Sequence, residues 1–405
     1  MSKNRNRGSQ LLVGVFFLII TLLAGADYDM QNNVMSISHI NFKHFDSPTT
    51  SNSFVPDVRK VNFIDSIVTA SYKKGLFNGT ILVAEKGKIL YAGAFGYSNL
   101  KTKDTLNVNT PFQLASVSKM FTATAIMLLH DKELLDYDED LRKYIPEFPT
   151  NGITIRNLLN HRSGLQNYIY VADRYWDRSK VITNNDIPAL FKNNDIKPAF
   201  PANHHYNYCN TNYALLALIV EKISGFSFTD FMRTFIFKPL DMNSSYIYCK
   251  ADENFIPGSA IGFSCFNRGG MRAEIPDYLD GVTGDKGMYS SVEDLYLFDQ
   301  ALYQSRLIKP SVLAEAFTAS PDDNGKTKKY GFGWRIRVGD DQKKEVYHYG
   351  WWRGFRTYFI RELTDKMTVI SLNNRSNVHI NNILCQILWY DKQNKTEGIP
   401  EESEE

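Results

Sequence analysis

The chain has 405 residues, 43% of them hydrophobic and 13% aromatic, enough for a large buried core arranged as two or three domains or as one fold carrying a large insertion. Its 46 basic and 44 acidic residues leave a net charge of +2 with no basic stripe or nucleic-acid motif, which removes the electrostatic case for a nucleic-acid partner. Four cysteines match no zinc spacing and are too few for a disulfide scaffold.

At the N-terminus, Lys3, Arg5 and Arg7 precede the apolar run LLVGVFFLIITLL and then Ala24-Gly25-Ala26. A basic stretch, a short apolar core and an A-x-A site make up a secretory signal peptide. The run is shorter than the ~20 residues of a spanning helix. Residues 1–26 are therefore expected to be cleaved, leaving a mature chain that starts at Asp27 and works outside the cytoplasm, in the periplasm or cell envelope. An uncleaved segment would instead be a membrane tether. For an exported chain, a Cys249–Cys265 bridge and buried free thiols at Cys209, Cys249, Cys265 and Cys385 are both open readings.

Residues 27–57 are rich in Ser, Asn, Thr and Asp and read as a polar linker. The segment VNFIDSIVTASYKKG is an amphipathic helix ending at Gly75, and GTILVAEKGKILYAGAFGYSN is a hairpin of two β-rich runs. Apolar spacing at Met120, Ala123, Ile126, Met127 and Leu129 predicts a helix from Ser116 to Leu135. From 136 to 280 the chain is mostly helical patches and loops, including YALLALIVEKISG ending at Gly225. Strand character returns in FGWRIRV, EVYHYG, RTYFIREL and KMTVISLNN, followed by the helix HINNILCQILWY. The acidic tail 391–405 reads as disordered. Strands at both ends of a helical middle predict one α/β (α+β) domain over 58–390. Its antiparallel sheet is built from 58–135 and 281–390 and covered by N- and C-terminal helices, and 136–280 is a mostly helical inserted subdomain. The site would lie in the groove between the two parts.

Three short stretches carry chemistry. In LASVSKM, Ser116 stands at the first turn of a helix, where unpaired N–H groups and the positive end of the dipole gather, and Lys119 projects one turn later from the same face. A lysine desolvated in a cleft can lose its proton near neutral pH and take that of the serine. Taken alone, such a pair is more often an N-cap and a solvated lysine; the apolar flanks Leu114, Ala115, Val117 and Met120 argue for burial. In HHYNYCNTNYALL, Tyr208 and Asn210 flank Cys209 and point to one side of an extended stretch. A tyrosine beside a cation can relay a proton, and an asparagine offers both a donor and an acceptor to a substrate amide. In EVYHYGWWRGF, His348 on a strand edge is suited to positioning a carboxylate or carbonyl, and Gly350 and Gly354 allow a ligand to approach the backbone closely.

In this order, Ser116-x-x-Lys119, Tyr208-Cys209-Asn210 and His348-Tyr349-Gly350 resemble the motifs of the serine β-lactamase and penicillin-recognising enzyme superfamily. The likeness is to its class C β-lactamase and D-alanyl-D-alanine carboxypeptidase branch. LLNHRSGL, FKPLDM, GDKGMYSSVEDL and YGFGW extend the likeness over residues 60 to 390. The resemblance implies an acyl-enzyme on Ser116, with Lys119 and Tyr208 sharing the proton work and no metal or cofactor. It implies an oxyanion hole from the N–H groups of Ser116 and Trp351, with Asn210 holding the substrate amide and His348 orienting both substrate and the Tyr208 hydroxyl. His348-Tyr349-Gly350 departs from the Lys-Thr-Gly of true class C β-lactamases, and Trp351-Trp352 beside the presumed hole either narrow the cleft or act as structural aromatics.

The expected function is therefore an exported serine hydrolase acting on amide, peptide or ester bonds. Peptidoglycan stem peptides in a D-Ala-D-Ala carboxypeptidase reaction are the first substrate class; a carboxylesterase, or a non-hydrolytic penicillin-binding sensor, is the alternative. His161, His204 and His205 lack a third ligand in register and read as structural hydrogen-bonders rather than a metal site. Gly325-Lys326-Thr327 lies in a polar loop and is set aside.

Overall fold

The computed structural model describes residues 56–266, 270–320, 329–339, 342–376 and 380–396. The signal segment, nearly all of the linker and Gly325-Lys326-Thr327 fall outside these residues. The chain enters at helix α1 (Val58–Lys73), whose N-cap Asp57 accepts a hydrogen bond from the Arg59 N–H, and turns through Gly75 into strands β1 (Gly79–Glu85) and β2 (Lys88–Phe95). Short strands β3 (Tyr97–Asn99), β4 (Asp104–Thr105) and β5 (Phe112–Gln113) lead to a 3₁₀ turn, Ala115–Val117, and helix α2 (Ser118–Asp131).

The middle of the chain supplies α3 (Ile155–Leu159), α4 (Tyr168–Tyr175), α5 (Asp186–Asn193), α6 (Asn210–Ser224) and α7 (Phe228–Met232). It also contains strand β6 (Tyr246–Ile247) and the hairpin β7 (Phe263–Phe266)–β8 (Gly270–Ala273). Then come β9 (Met288–Ser290), α8 (Val292–Tyr303), α9 (Pro310–Ala316), β10 (Arg335–Val338), β11 (Lys344–Trp352), β12 (Phe355–Glu362), β13 (Met367–Asn373) and α10 (Asn381–Thr396). The last helix runs past Tyr390 to Thr396, into the segment that its polar sequence had marked as tail; residues 397–405 lie outside the described chain.

Six strands form one antiparallel sheet in the order β10-β11-β12-β13-β1-β2. The opening hairpin is thus stitched to the last strand, with Gly79 opposite Asn373 and Glu85 opposite Met367. Period-two alternation sorts the sheet's side chains between two cores. Leu82, Ala84, Ile370 and Leu372 face the large cluster that includes α2, α6 and α8, while Ile81, Val83, Met367 and Val369 face a smaller one with Ile64 and Val68 of α1 and Ile383, Leu384 and Ile387 of α10. Burial on both faces explains why apolar residues occupy both faces of β1 and β13, interrupted by small polar residues such as Thr80, Thr368 and Ser371. The terminal helices cover one face; α8 packs on the other against β1 and β13, and α6 of the helical middle packs on α2.

The inserted segment is not wholly separate from the sheet region. β9, after the insertion, pairs with β5, just before Ser116, and with β6, inside the insertion, so one small sheet joins all three parts. β11 outreaches β10: the β10–β11 ladder stops at Tyr347, so residues 348–352 run on beyond it and face the Ser116 turn. All four cysteines are free; Cys249 is buried with its thiol on the Gly281 carbonyl, while Cys265 is exposed, so they form no bridge.

Candidate active site

Ser116 sits in the 3₁₀ turn, not in α2 itself, and the turn is strained: Ala115 has φ +49°, a left-handed conformation that costs a residue with a side chain. The turn is held from two sides, because the Thr357 hydroxyl donates to the Leu114 carbonyl at 2.6 Å and the Leu114 N–H donates to the Met288 carbonyl at 2.7 Å. β11 presses directly on it. A Cβ at Gly350 would lie 2.2 Å from the Leu114 carbonyl oxygen and 2.9 Å from the Ala115 Cβ, so only glycine permits this approach.

Lys119 is fully buried, and its Nζ lies 3.1 Å from Ser116 Oγ, 2.9 Å from Asn210 Oδ1 and 2.8 Å from the Asp285 carbonyl oxygen. Burial lowers its pKa from 10.5 to about 8; Asp285 opposes the fall and Arg335 adds to it. The three partners make both protonation states geometrically sound. As an ammonium, Lys119 has three donors for three acceptors. As an amine, it keeps its two donors on Asn210 Oδ1 and the Asp285 carbonyl, which accept only, and its lone pair is left facing the Ser116 hydroxyl. This is the arrangement of a general base.

Tyr208 and Asn210 flank Cys209 at the entry to α6 and face the same centre, as their alternation predicted. The Lys119 Nζ stands 5.0 Å from the Tyr208 ring centroid. Burial pushes the Tyr208 phenol well above its usual pKa, while Ser116 and Arg335 act in the opposite sense, so it is protonated at neutral pH. Its hydroxyl is buried and within electrostatic reach of Ser116, but makes no hydrogen bond of good geometry. A donor held near the nucleophile without a committed partner is free to relay a proton.

His348 stands beside Tyr208, with ring centroids 6.1 Å apart, but its nitrogens face other partners. It is 1% exposed; Nδ1 lies 2.9 Å from the Tyr349 carbonyl oxygen and Nε2 3.1 Å from the Tyr330 hydroxyl. A carbonyl only accepts, so Nδ1 carries the proton. Burial, Arg335 and Lys119 depress the pKa and keep the ring neutral, so Nε2 accepts from Tyr330. Both nitrogens are engaged by these two partners rather than by the Tyr208 hydroxyl. A second cation beside Tyr208, besides Lys119, is Arg335, whose guanidinium carbon is 5.3 Å from the Tyr208 ring centroid and 4.5 Å from that of Tyr349. Arg335 is half-buried, has no acidic partner among the described residues, and its Nε is buried without a hydrogen bond.

The hollow at Ser116 has a volume of about 30 Å³ and is lined by Ala115, Asn210, Asp285, Lys286, Trp351 and Trp352 together with Ser116. Trp351, adjoining Gly350, is 65% exposed and lies under the Arg356 guanidinium at 3.8 Å; Trp352 is anchored by its Nε1–H on Asp280 Oδ1 at 2.7 Å. Lys286 donates to the Tyr168 hydroxyl at 2.7 Å and to the Val282 carbonyl at 3.2 Å. Arg335, Tyr330, Asp285 and Lys286 were given no role from sequence, although YGFGW and GDKGMYSSVEDL had singled out their neighbourhoods. Gly333, with φ +79°, brings YGFGW so near α2 that a Cβ would lie 2.8 Å from the Lys119 carbonyl oxygen. His161 is buried, with Nδ1 3.2 Å from the Cys209 N–H, while His204 and His205 meet through their Nδ1 atoms and His205 stacks on Phe200 at 3.7 Å. Among the described residues no group of His, Cys, Asp and Glu could hold a metal ion.

The family model Beta-lactamase matches residues 64–379. Penicillin-binding protein 4* of Bacillus subtilis is 39% identical over 75% of this chain and 69% of its own length. Teichoic acid D-alanine hydrolase of Staphylococcus aureus is 27% identical over 81% of this chain and 78% of that protein. The D-amino acid amidase of Ochrobactrum anthropi has the same fold, with a TM-score of 0.68 at 21% identity over 82% of this chain and 98% of the amidase. The chain belongs to the beta-lactamase family and is a serine hydrolase of the beta-lactamase/transpeptidase-like fold.

Proposed function

We propose that the protein is an exported hydrolase that forms an acyl-enzyme on Ser116 and releases D-alanine from an amide or ester, a D-Ala-D-Ala terminus of a peptidoglycan peptide being the first substrate. The observation that carries this reading is the buried Lys119 amine 3.1 Å from Ser116 Oγ, with a pKa brought down to about 8. Neutral Lys119 takes the hydroxyl proton as Oγ attacks the carbonyl carbon, forming the C–O bond. The developing oxyanion is received by the N–H groups of Ser116, in the unpaired first turn, and of Trp351. Tyr208 passes its proton to the leaving group and regains one from Lys119. Water then cleaves the ester through the same groups in reverse.

Two features support a small D-alanyl substrate. The Ser116 hollow of about 30 Å³ is walled by Trp351 and Trp352, which suits a methyl side chain better than a bulky one. Arg335, a guanidinium without an acidic partner beside Tyr208, is suited to a terminal carboxylate on the leaving side. The names of two relatives, a D-alanine hydrolase and a D-amino acid amidase, point to the same class of group.

The test is intact-protein mass spectrometry after incubation with benzylpenicillin, alongside Ser116→Ala. A mass increase equal to the intact antibiotic, lost in the variant, is expected. No adduct and no turnover of the antibiotic would remove the penicillin-recognising reading and leave the esterase in its place, to be followed on D-alanyl esters.

A further inference from the structure

Behind Lys119 the fold buries a group of charged and titratable side chains that the chemistry above does not use. Gly284-Asp285-Lys286-Gly287 forms the loop before β9, and both glycines have φ +91°. A Cβ at Gly284 would lie 2.6 Å from the Tyr213 carbonyl oxygen and 2.5 Å from the Ala217 Cβ, so the loop rests directly on α6. Helix α2 holds it from the other side. One turn apart on the same face, Lys119 and Thr122 donate to the Asp285 and Gly284 carbonyls at 2.8 and 2.7 Å.

The two side chains between the glycines close on Tyr168, the first residue of α4. Lys286 Nζ donates to the Tyr168 hydroxyl at 2.7 Å, that hydroxyl donates to Asp285 Oδ2 at 3.2 Å, and Asp285 Oδ1 lies 3.6 Å from Lys286 Nζ. Burial, and then Asp285, push the Tyr168 phenol well above its usual pKa, so it keeps the proton that it donates. Lys286, Asp285 and Tyr168 are 4%, 1% and 0% exposed. Lys286 borders the Ser116 hollow, but its three donors face Tyr168, Asp285 and the Val282 carbonyl, which leaves none for a substrate. The Tyr168 N–H donates to Thr211 Oγ1 at 2.7 Å, so the same residue also ties the loop to the segment that carries Asn210.

We propose that Tyr168, Asp285 and Lys286 are positioning residues for Lys119, a buried cation–phenol–carboxylate chain that locks the loop against the amine and sets one negative charge behind it. Its consequence for catalysis rests on the acylation of Ser116 proposed above; its action on the amine does not. The other groups facing Lys119 carry no negative charge at neutral pH. Arg335 of β10 is a cation, and burial keeps the rings of His161 and of His348 on β11 neutral. Burial also raises the Cys209 thiol and the Tyr208 and Tyr213 phenols, which stay protonated. Burial lowers the Lys119 pKa to about 8, and among the charges acting on it Asp285 has the largest effect, opposing the fall.

The test is a carbon-13 NMR titration of the lysine side chains in the full chain, with Lys119→Met identifying the Lys119 signal. A midpoint near 8 is expected for the wild type, and a lower one for Asp285→Asn, which keeps the shape of the side chain and removes its charge. That variant leaves Lys286 buried without a counter-charge, so Asp285→Asn combined with Lys286→Met is titrated too, and its midpoint should also lie below that of the wild type. A loop that was merely loosened would admit water and move the midpoint up toward 10.5 instead. An unchanged or raised midpoint in either folded variant therefore overturns the proposal. The rising limb of acylation by benzylpenicillin, followed by mass spectrometry, should move to lower pH in step with the titration. A lowered midpoint in a protein that benzylpenicillin does not acylate would remove the penicillin-recognising reading and leave the positioning of Lys119 standing.

Discussion

Gly350 of β11 lies so close to the carbonyl of Leu114 that a Cβ there would fall 2.2 Å from the oxygen, against backbone rather than a movable side chain. The sheet therefore sets the position of the Ser116 turn by direct contact. Gly350→Ala must push β11 and the turn apart, an overpacking that costs about 1–3 kcal/mol. A displacement near 1 Å at the nucleophile lowers a reaction rate by about 10²-fold. Both a lower midpoint of thermal unfolding and slower acylation are expected, measured by calorimetry and by mass spectrometry; unchanged acylation in a folded variant would show that this contact does not position Ser116.

Lys119 predicts two pH effects. Acylation requires the neutral amine, so its rate should rise with pH through an apparent pKa near 8, not near the unburied value of 10.5. The stability effect has its own sign. The folded pKa lies below the unfolded one, so between pH 8 and 10.5 the unfolded chain binds more protons and stability rises with pH across that window. At about 1.4 kcal/mol per pKa unit, the rise reaches roughly 3 kcal/mol, and below pH 8 the whole cost of burying the charge is present. Lys119→Met should abolish acylation and flatten this part of the stability profile. Urea unfolding of both proteins at pH 7, 8, 9 and 10 measures it.

The grouping of side chains around Ser116 was legible in the sequence wherever its geometry is local. Ser116 and Lys119 are one turn apart, and Tyr208 and Asn210 alternate across an extended stretch, so spacing alone put each pair on a common face. The closing of the sheet by the first hairpin was also legible, because unbroken β-rich runs stand at both ends of the chain. Long-range partners were not. The Asp285 carbonyl reaches Lys119 across 166 residues, and Arg335 reaches Tyr208 only because Gly333 lets its loop settle on α2. The partner of His348 was hidden for the same reason: a motif letter does not say that Tyr330 holds the ring. Strands of two or three residues such as β4, β5 and β6 carry no period to detect, and the polar run 391–396 hid the end of α10.

Arg335 should act on both proton transfer and recognition. Its charge lowers the pKa of Lys119 and opposes the rise at Tyr208, so Arg335→Met should move the rising limb of the acylation profile to higher pH. If it also receives a substrate carboxylate, KM for a peptide ending in D-Ala-D-Ala should rise, by about tenfold or more for a charge-assisted hydrogen bond, while the corresponding peptide amide is little affected. Steady-state kinetics on this substrate pair separate the two roles. Equal losses on acid and amide would assign Arg335 to proton transfer alone.

A second charged pair tests the scaffold. Arg361 Nε on β12 donates to Asp299 Oδ1 on α8 at 2.6 Å, with the two side chains 1% and 0% exposed. The guanidinium lies 4.1 Å from the Tyr303 ring centroid and 5.8 Å from those of Phe317 and Trp334, so no water replaces a lost carboxylate. Asp299→Ala leaves that cation buried and unpaired, an event that costs about 3–5 kcal/mol, whereas removing both charges is often neutral. Denaturant unfolding should show a large loss for Asp299→Ala and recovery of most of it in Asp299→Leu with Arg361→Met. The acylation rate of the folded double variant should match the wild type, because neither residue approaches the Ser116 hollow. A double variant as unstable as Asp299→Ala would mean that the pair itself, and not relief of an unpaired charge, holds α8 to the sheet.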